Sequence, residues 1–380
     1  MNCANVMKKT YKYRAYCNKK TQAQMNIVLE LCRQVYNLCL EQRIFVWKNQ
    51  KKNISCFDQI KQLPELKKEF KEFKQIPSQT LQEVVERLDK AYKDFFSRIK
   101  RGETAGFPRF KGVNRYDSII LKQNGWILED NKLIIKKIGT FKIVKHREII
   151  GKIKTITIKR SLTNKWYVYF SCDNVPNKPL PKTGKSIGID VGCENFLTDS
   201  NNQVIANPRL LNKSQEILVK RQQRLSRRVK GSNRWNNARL LVAKAYEKTR
   251  NQRRDFHFKV ANQLVKDNDI ICIEKMRSFN SFRSINRSMK DVAWFGFFDI
   301  LRFKAEEAGK EVIEIPAKNT SQLCSNCGEL VEKELSNRIH DCPNCGFTTT
   351  RDHNASLNIL RLGTSHQRSL TEKLPGIGQE

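Results

Sequence analysis

The stretch CSNCG at residues 324–328, answered by CPNCG at 342–346 and followed by FTTTRDHN at 347–354, decides how the rest of the chain is read. Two Cys-x-x-Cys pairs, Cys324/Cys327 and Cys342/Cys345, supply the four thiolates that close a tetrahedron around one zinc ion. Gly328 and Gly346 follow the pairs, and a residue without a Cβ suits the tight left-handed turn such a knuckle needs. The gap of 14 residues between the pairs is slightly short for a zinc ribbon. Four protein ligands leave no open position, so the zinc is structural. His340 and His353 lie close by but are expected to be non-ligands, because the cysteines already fill the shell. Asp352 opens an expected helix, Arg351 to Leu362, so a metal-built knob delivers a carboxylate to a fixed place.

Two other carboxylates are candidates to meet it. Ser186 to Asp190 reads as an apolar strand ending in an acid, followed by Gly192, with Phe196–Thr198 as its antiparallel return. Asp269 to Glu274 reads as a second buried strand ending in an acid, and Val312 to Ile315 as a third strand after an aromatic-rich helix, Asp291 to Ala308. Taken singly, each acid is equally well explained as a solvated strand end or, for Asp352, as a helix N-cap. Together, Asp190, Glu274 and Asp352 are the ligand type that hard divalent cations such as magnesium prefer. Two such ions about 4 Å apart activate a water and stabilise the leaving oxygen of a phosphodiester. Asn354 either orients a carboxylate or caps locally. The chain shows no Ser-His-Asp pattern, Walker loop or dinucleotide fingerprint.

The charge balance points to the partner. The chain of 380 residues carries 72 Lys+Arg against 38 Asp+Glu, a formal net charge of +34. Such an excess calls for a polyanion, and nucleic acid is the leading class. No apolar run approaches the ~18–20 residues of a spanning helix, and no signal-peptide core is present, so a membrane role is not expected. Twelve cysteines are present, and those outside the knuckles are scattered among apolar neighbours, which fits free thiols in a reducing cytoplasm. The most basic tract, Leu218 to Arg254, holds 13 Lys/Arg and one acid, Glu247. It reads as a long helical hairpin with phosphate contacts expected from Arg221, Arg224, Arg227, Arg228 and Lys230.

The N-terminal half divides in two. Residues 21–100 read as helical, with a stripe of Val28, Cys32, Val35 and Cys39 on one helix. A second stripe, Leu81, Val84, Val85, Leu88, Tyr92, Phe95, Phe96 and Ile99, marks a helix Thr80–Lys100, and both stripes are read as core. Residues 101–175 carry short strand-like runs that alternate apolar with basic residues, as in a small barrel. That barrel is either oligonucleotide-binding or purely structural with solvated lysines. Residues 176–184 read as a linker, and 364–380 as a disordered tail. Met1 and Met7 are both possible starts.

In combination, Ser186-Ile-Gly-Ile-Asp190-Val-Gly192, Cys272-Ile-Glu274, the four-cysteine ribbon and Asp352-His-Asn-Ala355 resemble the TnpB family. These are transposon-encoded RNA-guided DNA endonucleases related to type V CRISPR effectors. Gly106-Phe-Pro-Arg-Phe-Lys111, Ala91-Tyr-Lys-Asp-Phe-Phe96 and Ser321-Gln-Leu-Cys324 extend the resemblance over residues 10 to 363. It implies an α+β multidomain fold: a β-barrel wedge domain (1–19 and 101–180) interrupted by a helical recognition domain (20–100), then an RNase H-like RuvC nuclease domain (183–318 and 349–363) with a zinc-ribbon insert (319–348). It implies that Asp190, Glu274 and Asp352 are the nuclease carboxylates and hold magnesium. The implied partners are a guide RNA from the transposon end and double-stranded DNA beside a short transposon-adjacent motif, bound by one chain with one RNA. By this resemblance Gln82 matches a position that reads that motif, while Ser78 and Gln79 stand where the family can have other residues, which leaves the motif's sequence open. Cys17 stands where many relatives have Pro. Two alternatives remain: a nuclease-inactive RNA-guided repressor, whose signature is loss of the acids, and a guide-free RuvC-like nuclease or transposase.

Overall fold

The computed structural model describes residues 6–122, 124–275, 289, 291–317, 319–334 and 337–372, with side chains described to residue 365. The chain forms two compact units, Met1–Pro176 and Asn177–Glu380.

The first unit is built on strand β1 (Val6–Tyr16). Its odd residues Tyr11, Tyr13 and Ala15 are buried while Lys12 and Arg14 point outward, as the two-residue period of a strand dictates. The chain then leaves the sheet as α1 (Lys19–Gln50), α2 (Cys56–Glu69), a 3-10 turn (Lys71–Gln75) and α3 (Ser78–Lys100). Asn18 starts α1 by accepting from Thr21 N (2.8 Å), and a Ser55/Asp58 capping box starts α2. The chain returns as β2 (Ser118–Leu121), β3 (Trp126–Glu129), β4 (Lys132–Ile135), β5 (Gly139–Val144), β6 (Lys152–Arg160) and β7 (Trp166–Pro176). These join β1 in one antiparallel sheet of order β2-β6-β7-β1-β5-β4-β3. Its two edges, β2 and β3, are neighbours in the chain, so the sheet curls into a nearly closed barrel.

The α1 stripe is core: Val28, Cys32, Val35 and Cys39 are all buried. The α3 stripe is core only over its first half. Leu81, Val84, Val85 and Leu88 are buried, but Phe96 is 59% and Ile99 51% exposed.

The second unit holds β8 (Ser186–Val191), β9 (Asn195–Asp199), β10 (Val204–Ala206), α4 (Leu210–Ser226), α5 (Asn233–Asp267), β11 (Ile270–Glu274), α6 (Trp294–Ala308), β12 (Glu311–Ile315), β13 (Ile339–Asp341), β14 (Thr348–Thr350) and α7 (Arg351–Glu372). The five-stranded sheet has the order β10-β9-β8-β11-β12. β8, β9 and β10 form an antiparallel meander, whereas β11 and β12 run parallel to β8. Parallel strands are joined by crossovers, and the helices α4 to α6 supply them.

Strand alternation assigns the two faces. Ile187, Ile189, Ile271 and Ile273 pack with Phe196 and Leu197 against Val260, Ala261, Phe297, Phe298 and Leu301 of α5 and α6. Gly188, Asp190, Cys272 and Glu274 therefore share the opposite face, which α7 covers through Ile359 and Leu360. Gly188 and Gly363 make that packing possible. A Cβ on Gly188 would run into the Ser356 carbonyl oxygen and lie 2.6 Å from Leu360 N, and one on Gly363 would strike Cys272 Sγ. Gly188→Ala is expected to cost about 3 kcal/mol or more, since backbone cannot yield as a side chain can. That lowers the unfolding midpoint by roughly 6–12 °C in a calorimetric scan. An unchanged midpoint would show that α7 does not sit this close.

Four expectations change here. The helix expected to end at Leu362 continues to Glu372, because Gly363 serves a close approach and does not stop it. The tail expected over 364–380 therefore does not begin at 364, and residues 373–380 lie outside the described set, as do residues 1–5 and the choice of start. The helix expected from Asp291 begins at Trp294, since Ala293 takes a left-handed conformation (φ 55) and Asp291 instead accepts from Leu211 N (2.8 Å) at the start of α4. The proline-rich linker is docked: Lys178 N and Leu180 N donate to the Glu307 and Ala308 carbonyls at the end of α6.

Candidate functional site

The parallel register pairs Ile189 with Ile273, so the next residues, Asp190 and Glu274, stand side by side at the carboxyl ends of two adjacent strands. Neighbouring strands lie about 4.8 Å apart, and this end of a parallel sheet is where ligands bind in open α/β folds. The helix α7 supplies the third acid. Its residue Ser356 lies over Gly188. Four residues back along a helix is about 6 Å, close to the two-residue rise from Gly188 to Asp190 on the strand. Asp352 in the first turn of α7 is thus carried to Asp190, and it pairs with Arg351 (3.6 Å).

The charge environment of Asp190 agrees with this placement. Burial, then the negative charges of Glu274 and Asp352, push the Asp190 carboxyl well above the ordinary carboxylate range, against the pull of Arg351. Burial also raises Glu274, opposed by a hydrogen bond that the Thr320 hydroxyl donates to Glu274 Oε1. The three carboxylates do not converge within 4.8 Å of one another; among the described residues only the four cysteines do so as a group of this kind. The donor set still suits a hard cation: carboxylate oxygens are the ligands such ions prefer, and a positive charge here would offset the burial and negative charge that disfavour the ionised Asp190.

The cysteine knob meets the zinc geometry closely. Cys324 and Cys345 sulfurs lie 3.7 Å apart and those of Cys327 and Cys342 3.6 Å. A tetrahedron with arms of about 2.3 Å has edges of about 3.8 Å, whereas a disulfide would need about 2.05 Å. Gly328 (φ 83) and Gly346 (φ 67) adopt the expected left-handed turns, donating to the Cys324 and Cys342 carbonyls at 2.9 Å. Asn326 Nδ2 donates toward Cys345 Sγ (3.5 Å) and Asn344 Nδ2 toward Cys327 Sγ (3.7 Å), contacts that favour thiolates. His340 and His353 stand outside this group: His353 Nδ1 bonds Thr349 Oγ1 (2.9 Å), and the buried His340 ring meets the Lys333 ammonium.

Asn354 neither orients an acid nor caps its own helix. Its Oδ1 accepts from Ser325 N (2.9 Å) and its Nδ2 donates to Leu323 O (2.7 Å), tying the first knuckle to α7. Asn358, one turn on, donates to Leu323 O (2.7 Å) and Thr320 O (3.0 Å). Both are fully buried. Thr320 and Asn358 escaped the sequence reading. The one signal was the four-residue spacing of Asn354 and Asn358 on a helix following the cysteines.

In the first unit, Ser78 and Gln82 share one cleft of about 510 Å³ with Lys67, Lys68, Lys74 and Lys137. Gln79 is half-buried on the same helix. Lys67 Nζ donates to Ile76 O (2.9 Å) and Ser78 Oγ (3.0 Å), and its ammonium is depressed by burial and by the charge of Lys137. In the second unit, α4 and α5 form the expected basic hairpin. Arg224, Arg227, Arg228 and Lys230 are exposed on it, whereas Arg221 donates to Leu241 O (2.8 Å) and so joins the two helices.

Comparison with known proteins agrees with these features. Family models match at residues 169–284 (OrfB_IS605, probable transposase), 294–359 (Cas12f1-like, TNB domain) and 7–52 (HTH_OrfB_IS605, helix-turn-helix domain). The last match covers β1 and the unbroken helix α1 and not two short helices. The chain is 29% identical over 306 residues to the "Putative RNA-guided DNA endonuclease InsQ" of Escherichia coli (strain K12), covering 76% of this chain and 75% of that one. It is 28% identical over 367 residues to a "Putative RNA-guided DNA endonuclease" of Streptomyces pristinaespiralis, covering 94% and 90%. A solved Cas12f1–sgRNA–target DNA complex contains a chain of similar fold, with a TM-score of 0.58 at 14% identity over 93% of this chain and 98% of that one. No helix among the described residues is long and apolar enough to cross a membrane. The four-cysteine knob, the acid-tipped parallel strands and these matches together make the chain a member of the TnpB (OrfB/IS605) family.

Proposed function

We propose that the chain is an RNA-guided DNA endonuclease whose RuvC-type centre is Asp190, Glu274 and Asp352. The reading is supported by two adjacent parallel strands that carry Asp190 and Glu274 at matching positions and by α7, which packs on Gly188 one turn beyond Asp352. The antiparallel meander followed by two parallel strands supports reading this sheet as RNase H-like. All three acids are present, which disfavours the repressor reading.

Magnesium bound here would supply an activated water and a charge stabiliser for the leaving oxygen. The residues themselves do the rest. Asp190 and Glu274 fix two oxygen donors on rigid strands, Thr320 orients Glu274, and the four-cysteine knob sets Asp352 through Asn354 and Asn358. Thr320→Val keeps the shape but removes the hydroxyl, and about a 10-fold rise in the magnesium needed for half-maximal cleavage is expected. An unchanged requirement would remove Thr320 from the site.

The proposed substrate is double-stranded DNA beside a short transposon-adjacent motif, read in the cleft of Ser78 and Gln82, with Gln79 on the same helix. The guide would be an RNA from the transposon end, held by the barrel and by the exposed Arg224, Arg227, Arg228 and Lys230, with one chain acting on one RNA in the cytoplasm. Guide pairing would choose the sequence while protein reads the flank. The test is to sequence the RNA that co-purifies from cells carrying the native locus and to cleave a matching target. One discrete RNA with a constant scaffold, directing magnesium-dependent cleavage, is expected. Heterogeneous RNA and cleavage indifferent to it would favour a guide-free nuclease.

A further inference from the structure

The segment Gly106-Phe107-Pro108-Arg109-Phe110-Lys111, between α3 and β2, has no part in the sites above. Its end is clamped. Lys111 N donates to Asn37 Oδ1 (2.8 Å), and the Lys111 carbonyl accepts from Arg33 (3.0 Å) and Asn37 Nδ2 (3.0 Å). Phe107 stands edge-on to Tyr92 (5.5 Å) and Phe95 (5.4 Å), and Phe96 stacks beside Tyr92 (6.3 Å). Tyr92, Phe95, Phe96 and Phe107 therefore brace one another, yet Phe96 is 59% and Phe107 46% exposed, and Phe110 in the clamped segment is 55% exposed. Aromatics that serve only the core would be covered; a braced, exposed group of them marks a binding surface.

Charge chooses the occupant. Residues 92–115 hold seven Lys/Arg against two acids, with Arg98, Lys100 and Arg109 exposed among the rings. A second copy of this face would bring like charges together, whereas a polyanion with flat apolar groups satisfies both features. We propose that Phe96, Phe107 and Phe110 form a platform on which unpaired bases of a bound nucleic-acid strand stack, while Arg98, Lys100 and Arg109 take its phosphates. This adds a binding role in the first unit to the functional reading and needs no cleavage, so it is tested by binding alone.

The experiment uses the full chain and short fluorescent RNA and DNA single strands, each with an abasic version of equal length and charge. Base-bearing strands are expected to bind the wild type about 5- to 100-fold tighter than abasic ones. The double variant F96L/F110L, which changes two exposed rings and keeps apolar bulk, is expected to lose most of that preference with its salt dependence unchanged. F96W/F110W is expected to keep it, and the strand whose preference responds identifies the ligand as RNA or DNA. If F96L/F110L keeps the full preference for both strands, the platform is wrong. It is equally wrong if the variant weakens base-bearing and abasic strands alike, or if its only effect is on self-association in sedimentation. Thermal melting of both variants confirms that they are folded.

Discussion

Asp190→Asn is expected to lower cleavage by on the order of 10³-fold or more, leave RNA binding intact, and stabilise the metal-free protein. The two effects have one cause. Asp190 is held half-buried beside Glu274 and Asp352, so its charged form is disfavoured and its carboxyl sits well above the ordinary range. An unfolded Asp titrates near ~3.9. The native state therefore binds the proton more tightly, and this group's stabilising contribution is complete below that value and lost as pH rises through the native one. Asparagine keeps the neutral form at every pH. The variant's advantage in unfolding midpoint should thus be small in acid and grow with pH until Asp190 is fully ionised. Magnesium should reverse the order, because it needs the carboxylate and should bind the wild type more tightly as pH rises. Full cleavage by Asp190→Asn would end the assignment, and a variant less stable than wild type at neutral pH without metal would contradict the electrostatic account.

Removing the zinc is the second large effect. Metal analysis of the intact protein is expected to find one zinc per chain, and a Cys327→Ser/Cys345→Ser variant none. Isolated zinc modules owe about 10 kcal/mol or more to their metal, so residues 320–350 should lose hydrogen-exchange protection while β8 and β11 keep theirs. The consequences should reach the acids. Leu323 and Ser325 would release Asn354 and Asn358, and Thr320 would release Glu274. Cleavage should then fall about 10- to 100-fold although no carboxylate has changed. A zinc-free variant with normal exchange and full activity would separate the knob from the site.

Much of this site is legible in the chain. The four cysteines announce themselves because zinc fixes their number and spacing, and the structure sets sulfurs from the two knuckles 3.6 to 3.7 Å apart, Cys324 with Cys345 and Cys327 with Cys342. Ser186–Asp190 and Asp269–Glu274 are legible as buried strands because short apolar runs rich in isoleucine leave few other choices, and an acid at the end of such a run is conspicuous. Periodicity also marks the buried stripe of α1. What the sequence could not supply is whatever depends on a partner far along the chain. Phe96 and Leu88 belong to one helical stripe, yet only the tertiary packing decides that Leu88 is core and Phe96 is surface. Gly363 resembles a helix terminus until Cys272 is found beneath it. Arg221 is one more cation of a basic tract until its bond to Leu241 O is seen. Asn354, Asn358 and Thr320 are ordinary polar residues in one dimension; their roles arise from partners about 30 to 50 residues away in the chain, backbone carbonyls for the two asparagines and the Glu274 carboxylate for Thr320. Local chemistry such as metal valence and strand period is written in neighbouring residues, whereas register, burial and the raised carboxyl of Asp190 arise from charges and surfaces that only folding brings together.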